Sequence, residues 1–382
     1  MTQHKHPIYL DYMASTPLDP TVKEIMSKYL DDKQFFGNPT AQHIYGYQSA
    51  MIIATAREQL AAYFDTSAKD WTFTSGATEA INLAIHGVAS NYKTFSKKIV
   101  TFESEHAATI KCCKQLISIG CEVDILPVMK NGLIDLNLLE EKLKHGVLLV
   151  SVLHVNNEIG VIQPIEEIAK LAKKYNTFIH IDAVQTIGKT AINLNSKLFD
   201  LVSISGHKNY GPKGIGALYI NPESNIKLKP LIFGGGQEHG LRSGTLATHQ
   251  IAGMGQAYKL SKENYLKDLE LVKSLYNHII TNIVDNDKII LNGCLEHRVP
   301  HNISLTFKDI NSEVLISHLN NFAFSLGSAC QAAYNRPSHV LMAIGHTQKQ
   351  ANNTIRLSIG KFNTMQEIEL LINDIKTLIN TY

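Results

Sequence analysis

The middle of the chain alternates short apolar, β-prone runs with segments whose apolar positions repeat at helical spacing. The runs predicted as strands are Trp71–Thr74, Lys98–Glu103, Glu122–Leu126, Leu148–Val152, Phe178–Ile181, Leu201–Ser205 and Ile215–Ile220. The segments between them, such as Ile165–Tyr175, carry the helical spacing. This alternation predicts an α/β domain with a mostly parallel seven-stranded sheet. Ligands bind such sheets beyond the carboxyl ends of the strands, so polar residues there are the candidates for chemistry.

The pattern changes after about residue 260. A long amphipathic helix leads into this region, and a final helix follows Thr364 and Glu367, which are spaced as a capping box. The strands predicted between the two helices are Ile289–Leu291, Asn302–Phe307, Phe322–Ser325 and Thr354–Ile359. We therefore predict a large domain over residues 16–260, and a smaller α+β domain formed by residues 1–15 and 261–382.

The composition and charge of the chain mainly exclude several classes of protein. The 382 residues are 44% hydrophobic, which is enough for two buried cores. The 36 basic and 34 acidic residues nearly balance, so no direct binding to nucleic acid is expected. The longest apolar stretch, residues 147–155, is interrupted by Ser151 and His154 and is too short to cross a membrane. The first ten residues show no apolar core of a signal peptide, which favours a cytoplasmic protein.

The number and spacing of the five cysteines are typical neither of a disulfide framework nor of a metal site. They are Cys112, Cys113, Cys121, Cys294 and Cys330. Their number is odd and no Cys-x-x-Cys pair occurs, so neither a disulfide framework nor a zinc site is predicted. We expect reduced thiols and no bound metal.

Two features are candidate binding sites, one for an anion and the other for a cation. The small, glycine-containing turn Ser75–Glu79 stands between a predicted strand and a helix starting near Glu79, which suits a phosphate. An ordinary helix cap is the alternative. Asp182 closes a buried strand, where a carboxylate is costly unless it meets a cation such as a protonated pyridine nitrogen. The alternative for Asp182 is the N-cap of a following helix.

Two further features carry nucleophiles. Lys208 follows the strand Leu201–Ser205 and precedes the glycine-rich turn Tyr210–Gly214, and lysine is the residue that forms a Schiff base with an aldehyde cofactor. A lone lysine is otherwise a surface charge. Cys330 stands among the small residues of Gly327-Ser328-Ala329-Cys330, where an accessible thiol can act as a nucleophile. A lone cysteine is otherwise an inert apolar residue.

Taken together, these motifs resemble the NifS/IscS-like cysteine desulfurases, a branch of the class V, fold-type I pyridoxal-phosphate aminotransferases. The resemblance runs nearly end to end and keeps motif order and spacing. Beyond the features above, it rests on Tyr9–Pro17, Gly37-Asn38-Pro39, Ser104-Glu105-His106, His154–Gly160, His180–Gln185, Arg242-Ser243-Gly244-Thr245 and Ile355–Ser358. The 25 residues between Cys330 and Arg356 resemble the type with a long cysteine-bearing loop.

The resemblance implies a role for each matching residue. Lys208 carries pyridoxal 5′-phosphate, Asp182 pairs with its ring nitrogen and Gln185 with its ring oxygen. His106 stacks on the ring and moves protons, and it is the candidate base for Cys330. Asn157 and Arg356 hold the substrate carboxylate, for which the planar guanidinium is suited, and Asn157 also contacts the cofactor. The residues implied to hold the phosphate are Ala77, Thr78, Ser205 and His207, with Thr245 reaching the cofactor of a second subunit in a homodimer.

The implied activity moves sulfur from L-cysteine to Cys330 as a persulfide, releasing L-alanine. The sulfur then passes to an acceptor protein, either an iron–sulfur scaffold or a protein of tRNA or DNA thiolation. Close relatives of this type carry a tail beyond the last helix that helps to dock the scaffold protein, whereas this sequence ends at Tyr382, soon after the predicted last helix. The resemblance therefore leaves open which protein accepts the sulfur. The alternatives are a selenocysteine lyase, another class V pyridoxal-phosphate enzyme, and a regulatory subunit without catalysis. A regulatory subunit is expected to lose Lys208, Asp182 or Cys330, and all three are present.

Overall fold

The alternating pattern forms one central seven-stranded sheet. The structure is a computed structural model that describes residues 6–31, 33–92, 97–284, 287–326 and 337–382. The strand order is β2 (Trp71–Thr74), β8 (Gly216–Ile220), β7 (Leu201–Ser205), β6 (Phe178–Asp182), β5 (Leu149–Leu153), β3 (Lys98–Phe102), β4 (Glu122–Leu126). β8 is antiparallel to both of its neighbours, and all the other pairs are parallel. The predicted mostly parallel sheet is confirmed.

Helices cover both faces of this sheet because its strands are apolar on both sides. Ile99 of β3 packs into one core cluster with the helices α3 and α4, while the next residue, Val100, packs into another with α2, α5 and α6. The helices of this part are α1 (Pro20–Asp31), α2 (Ile44–Tyr63), α3 (Ala77–Asn91), α4 (Ala107–Ile117), α5 (Leu136–Leu143), α6 (Ile165–Lys174) and α7 (Thr248–Ile283). Among the described residues, no helix combines the length and apolar character needed to cross a membrane.

The C-terminal region forms a second core. Strands β9 (Ile289–Leu291), β10 (Asn302–Phe307) and β12 (Thr354–Ser358) make an antiparallel sheet, and β1 (Ile8–Tyr9) pairs in parallel with β11 (Phe322–Ala323). The remaining helices are α8 (Ser312–His318), α9 (His339–Ala343), α10 (Gln348–Asn352) and α11 (Met365–Thr381). Thr364 and Glu367 form the predicted capping box of α11. Ile8 and Leu10 of the N-terminal arm are buried in this second core.

Helix α7 belongs to both cores. Its residue Ile251 packs in the first core and its residue Leu275 in the second, and the helix runs unbroken past residue 260. The domain boundaries at 15/16 and 260/261 stay predictions.

Three local expectations differ from the structure. Helix α3 begins at Ala77 rather than near Glu79, which brings its N-terminus directly against the turn. No helix follows Asp182, whose chain continues as a run of turns, so the N-cap alternative is wrong. The predicted strand Phe322–Ser325 ends at Ala323, and Ser325 instead forms an isolated bridge with Arg356.

Candidate active site

A cavity of about 520 Å³ lies at the edge of the sheet where the parallel strands end. It collects residues from segments that are far apart in sequence, as expected for a sheet whose strands run in the same direction. The predicted site residues that line it are Ala77, Thr78, His106, Asn157, Asp182, Gln185, Ser205, His207, Lys208 and Arg356. Thr245 does not line it and is exposed on the chain. Cys330 lies outside the described residues.

The turn between β2 and α3 presents a helix N-terminus to the cavity. Gly76 is the N-cap of α3, with φ 155° and no side chain closing the cap. The first N–H groups of a helix have no partner within it and carry partial positive charge. A Cβ on Gly216 of the adjacent β8 would lie 2.6 Å from the Gly76 carbonyl carbon, so a side chain there would push this turn away. The turn therefore suits an anionic group of the size of a phosphate.

Asp182 places a buried carboxylate at the end of β6. The Val184 N–H donates to its Oδ1 at 3.0 Å, and only 2% of the residue is exposed. Burial raises the pKa of Asp182 to about 6, against the opposing effects of the Val184 N–H and the Lys208 charge. A carboxylate held in this way gains most from a cation brought into the cavity.

Gln185 offers an acceptor that the described residues leave unused. Its Nε2 donates to the Met13 carbonyl at 2.8 Å, which fixes the amide. Its Oε1 is buried and has no hydrogen-bond partner among the described residues. Buried polar atoms nearly always have a hydrogen-bond partner, so we expect a bound molecule to donate a hydrogen bond to this oxygen.

The N-terminal arm holds the Lys208 side chain in place. Its Nζ donates to the Met13 carbonyl at 2.8 Å and to the Ala14 carbonyl at 2.7 Å. The Thr16 N–H in turn donates to the His207 carbonyl at 3.0 Å, which ties the arm to the turn that bears the lysine. The two backbone carbonyls thus hold the amine nitrogen of Lys208 at the wall of the cavity.

Two histidines of the cavity are neutral. Burial, with the Lys208 charge second, lowers the pKa of His106 and of His207 to about 4. The His106 Nδ1 accepts the Ala108 N–H at 3.1 Å and caps α4. His106 is therefore the N-cap of α4, and its ring lines the cavity at the same time.

Arg356 is a buried guanidinium with several partners. Its NH2 donates to Asp11 Oδ1 at 2.6 Å and to Ser325 Oγ at 3.0 Å, and its NH1 donates to the Asn157 carbonyl at 3.0 Å. The Nε is buried and has no partner among the described residues. These contacts fix the orientation of the guanidinium and retain donors for an anion in the cavity.

Sequence reasoning missed four contributors to the site. Met13 and Ala14 act through their backbone carbonyls, and contacts of this kind cannot be predicted from a pattern of side chains. Glu158 and His339 also line the cavity. Ser338 donates a short hydrogen bond to Glu158 Oε2 and caps α9, so this pair joins the loop after β5 to the start of α9. The one available signal was the Pro337-Ser338-His339 sequence, whose serine is typical of a helix N-cap.

Comparison with known proteins places the chain in a family. The family model described as "Aminotransferase class-V" matches residues 8–371. "Cysteine desulfurase IscS" of Vibrio vulnificus is 44% identical over 376 residues, covering 98% of this chain and 93% of that protein. The chain belongs to the cysteine desulfurase branch of the class V aminotransferases.

Solved structures agree in fold. A "NIFS-LIKE PROTEIN" superposes with a TM-score of 0.90 at 32% identity, covering 98% of this chain and 100% of that one. "SspA in complex with cysteine" gives a TM-score of 0.82 at 36% identity, covering 94% and 100%. These matches confirm the predicted fold-type I architecture.

The cofactor of this family is pyridoxal 5′-phosphate, and it is the cofactor of this chain. The cavity fits it by the chemistry of the donors and acceptors present. The uncapped N-terminus of α3 suits its phosphate, the Asp182 carboxylate its ring nitrogen and the unpaired Gln185 Oε1 its ring hydroxyl. Lys208 supplies the amine that aldehyde cofactors require. In the part of the chain that the structure describes, no cluster of three His, Cys, Asp or Glu side chains is placed to hold a metal.

Proposed function

We propose that the protein is a cysteine desulfurase that converts L-cysteine to L-alanine and carries the sulfur as a persulfide on Cys330. The observation that carries this proposal is the meeting of the Lys208 amine, the Asp182 carboxylate and the Arg356 guanidinium in one cavity. The 44% identity to a named cysteine desulfurase over nearly the whole chain supports the choice among class V activities.

The residues that would hold the cofactor are those of the cavity wall. Ala77 and Thr78 would hold the phosphate at the start of α3, together with Ser205 and His207, since all four line the same cavity. Neutral His207 would act there as a hydrogen-bond donor rather than as a charge, because burial lowers its pKa to about 4. When bound, pyridoxal phosphate supplies an electron sink that weakens bonds to the substrate α-carbon and its neighbours.

Arg356 and Asn157 would bind the substrate carboxylate. The Asp11 carboxylate and the Asn157 carbonyl hold the guanidinium in position before the substrate arrives. Because this arrangement exists in advance, little side-chain entropy is lost when the carboxylate binds.

The sulfur transfer balances without any further reactant. The sulfur of L-cysteine leaves its β-carbon and forms a bond to the Cys330 sulfur, and the β-carbon gains a proton to become the methyl group of L-alanine. Cys330 must lose its thiol proton to attack, since the thiolate is the nucleophile. Lys208 is the amine placed to take the substrate α-proton within the cavity.

We also propose a homodimer in which Thr245 serves the partner's cavity. Thr245 is exposed and does not line the cavity of its own chain. Its neighbour Arg242 donates to Glu79 Oε1 at 2.8 Å, and Glu79 lines the cavity, so the Thr245 segment runs past the cavity rim. A threonine at this place would contribute to the cofactor site of a second subunit that packs against this rim.

The sulfur acceptor is proposed to be a protein of iron–sulfur cluster assembly or of nucleic-acid thiolation, in the cytoplasm. The described residues hold free thiols at Cys112, Cys113, Cys121 and Cys294, which is typical of a reducing compartment.

The first test combines the cofactor spectrum with product analysis. The purified protein should show the absorbance of bound pyridoxal phosphate and, with L-cysteine and a reductant, release equal amounts of alanine and sulfide. Cys330→Ala should lose both products and keep the absorbance. The matched control is Cys294→Ala, which removes a thiol outside the cavity and should keep full activity. Full activity of Cys330→Ala would rule out the persulfide, and alanine formed from selenocysteine alone would identify a selenocysteine lyase.

Substitution of Arg356 should separate substrate binding from turnover. We expect Arg356→Gln to raise the KM for L-cysteine by about 30-fold or more, because a buried, hydrogen-bonded charge contact is typically worth 2–5 kcal/mol. Steady-state kinetics with L-cysteine measure this. Arg298→Gln removes another, partly buried arginine, which lies outside the cavity, and should leave KM unchanged. An unchanged KM in Arg356→Gln would show that another group holds the carboxylate.

A further inference from the structure

A closed loop, residues 232–243, lies against the turn that suits the phosphate of the cofactor. Its two ends meet, because Ile232 and Arg242 form an isolated parallel bridge and the Ser243 N–H donates to the Ile232 carbonyl at 3.3 Å. Within the loop, the Gly236 N–H donates to Ser243 Oγ at 3.3 Å. These contacts fix the charged side chains of the loop relative to one another.

Glu238 attaches this loop to β2, the strand that precedes the turn. Its Oε2 accepts the Phe73 N–H at 2.7 Å, and its two carboxylate oxygens accept from the Arg57 guanidinium at 2.8 and 2.5 Å. Glu238 and His239 have φ angles of 50° and 56°, a left-handed conformation that is costly for residues with side chains. The contacts with β2 therefore hold the loop in a backbone conformation that it would not adopt alone.

Arg242 attaches the same loop to α3, the helix that follows the turn. Its Nε donates to Glu79 Oε1 at 2.8 Å, and Glu79 Oε2 accepts the Ser75 N–H at 2.8 Å. Glu79 stands in the first turn of α3 and lines the cavity together with Ala77 and Thr78. The turn is thus held on both sides by one loop, through β2 before it and through Glu79 after it.

The Glu79 carboxylate places a negative charge in the wall where an anion would bind. Burial alone would raise the pKa of Glu79, but the hydrogen bonds from Arg242 and from Ser75 lower it below its ordinary value. An ionised carboxylate in this wall repels a phosphate, because like charges a few ångströms apart interact strongly away from bulk water. The Arg242 guanidinium compensates that charge while Glu79 keeps its hydrogen bond to the turn.

We propose that Arg242 is a positioning residue for the phosphate group of the cofactor, acting through Glu79. It fixes the turn through the Glu79 carboxylate and cancels the charge of that carboxylate toward the phosphate. The proposal rests on the proposed phosphate site at the start of α3. It predicts that the loop controls affinity for the phosphate group alone and not for the pyridine ring.

The test compares two ligands that differ only in the phosphate. Cofactor-free wild-type protein and Arg242→Gln are titrated with pyridoxal 5′-phosphate and with pyridoxal, and binding is followed by absorbance. Arg242→Gln should raise the Kd for pyridoxal 5′-phosphate by about 10-fold or more, because the Glu79 charge is then uncompensated. The Kd for pyridoxal should stay at the wild-type value. A general loss of structure would weaken the binding of both ligands.

A second substitution separates charge compensation from a purely structural role. Glutamine at position 79 can still accept the Ser75 N–H but carries no charge, so Arg242→Gln combined with Glu79→Gln should regain most of the lost affinity for pyridoxal 5′-phosphate. An ion pair with only a structural role would leave this double variant as weak as Arg242→Gln. Arg242→Lys, which keeps the positive charge, should retain most of the wild-type affinity.

The matched control is Lys174→Gln, which breaks an ion pair between Lys174 and Glu140 outside the cavity and should leave both Kd values unchanged. A wild-type Kd for pyridoxal 5′-phosphate in Arg242→Gln, or an equal loss of affinity for both ligands, would overturn the role of Arg242. Equal affinities of the wild-type protein for the two ligands would refute the phosphate site itself, and the proposal with it. Neither titration uses turnover, so the desulfurase activity is tested separately by the formation of alanine.

Discussion

Replacing Lys208 by alanine is expected to lower alanine formation from L-cysteine by about 10³-fold or more, because the amine has two tasks, covalent attachment of the cofactor and proton transfer. The structure places this amine in the cavity wall between two carbonyl acceptors, Met13 and Ala14, rather than on the surface. The measurement is a single-turnover assay of alanine, with the cofactor content of each variant determined by absorbance after gel filtration.

Lys208→Arg is the sharper variant. An arginine keeps a positive charge for the Met13 and Ala14 carbonyls, so the arm should stay in place, but the guanidinium does not deprotonate and cannot serve as the amine. It should be as inactive as Lys208→Ala while binding pyridoxal phosphate reversibly. Lys273→Ala, on the exposed face of α7, is the matched control and should be fully active. Turnover by Lys208→Arg near the wild-type rate would remove Lys208 from the chemistry.

Replacing Asp182 by asparagine is expected to lower activity by about 100-fold, the scale on which single preorganised electrostatic groups act in enzymes. Asparagine keeps the size of the side chain but has no negative charge, so it cannot stabilise the protonated form of the cofactor's ring nitrogen. Asp200→Asn is the matched control, since Asp200 is also buried but lies outside the cavity, where it accepts from Ile179 N–H and Ser224 Oγ. It should lose stability rather than turnover per folded enzyme. A fully active Asp182→Asn would assign the ring nitrogen to another partner.

The same substitution should stabilise the cofactor-free protein at high pH. The folded pKa of Asp182, about 6, lies above the ordinary value of 3.8, so the folded state binds more protons between these values and stability falls as the pH rises through them. Well below pH 3.8 the carboxyl group is protonated in both states and contributes nothing. Well above pH 6 it is ionised in both states and the penalty is constant, on the order of 3 kcal/mol. Denaturant unfolding of cofactor-free Asp182→Asn and wild-type protein from pH 4 to pH 8 should show their difference growing over this interval; a difference independent of pH would contradict it.

The buried charge of Asp182 thus has opposite effects on stability and function. It lowers the stability of the cofactor-free fold, and a cation brought by the cofactor offsets that cost. Binding of the cofactor and folding are therefore coupled through one carboxylate, because the charge that burial disfavours is the one that holds the ring nitrogen.

The fold and the outline of the site were predictable from the sequence for a simple reason. Strands buried on both faces show as short continuous apolar runs, and the strands that run in the same direction place the residues that follow them at one edge of the sheet. Asp182, Lys208 and the Ser75–Glu79 turn each follow such a run, so their meeting in one cavity required no long-range information beyond the direction of the strands.

The sequence by itself determined which segments form the sheet, which of their ends bear polar groups and to which family the pattern is similar. Only the tertiary structure decided how these groups are held: the Met13 and Ala14 carbonyls meet Lys208 from almost two hundred residues away, and Asp11 meets Arg356 from the other end of the chain. The same holds for the proton-bearing nitrogen of His106, because the Ala108 N–H beside the ring decides that the proton is on Nε2. Backbone carbonyls and amides are identical at every position of a sequence, so which of them a side chain meets is decided by the folded chain alone.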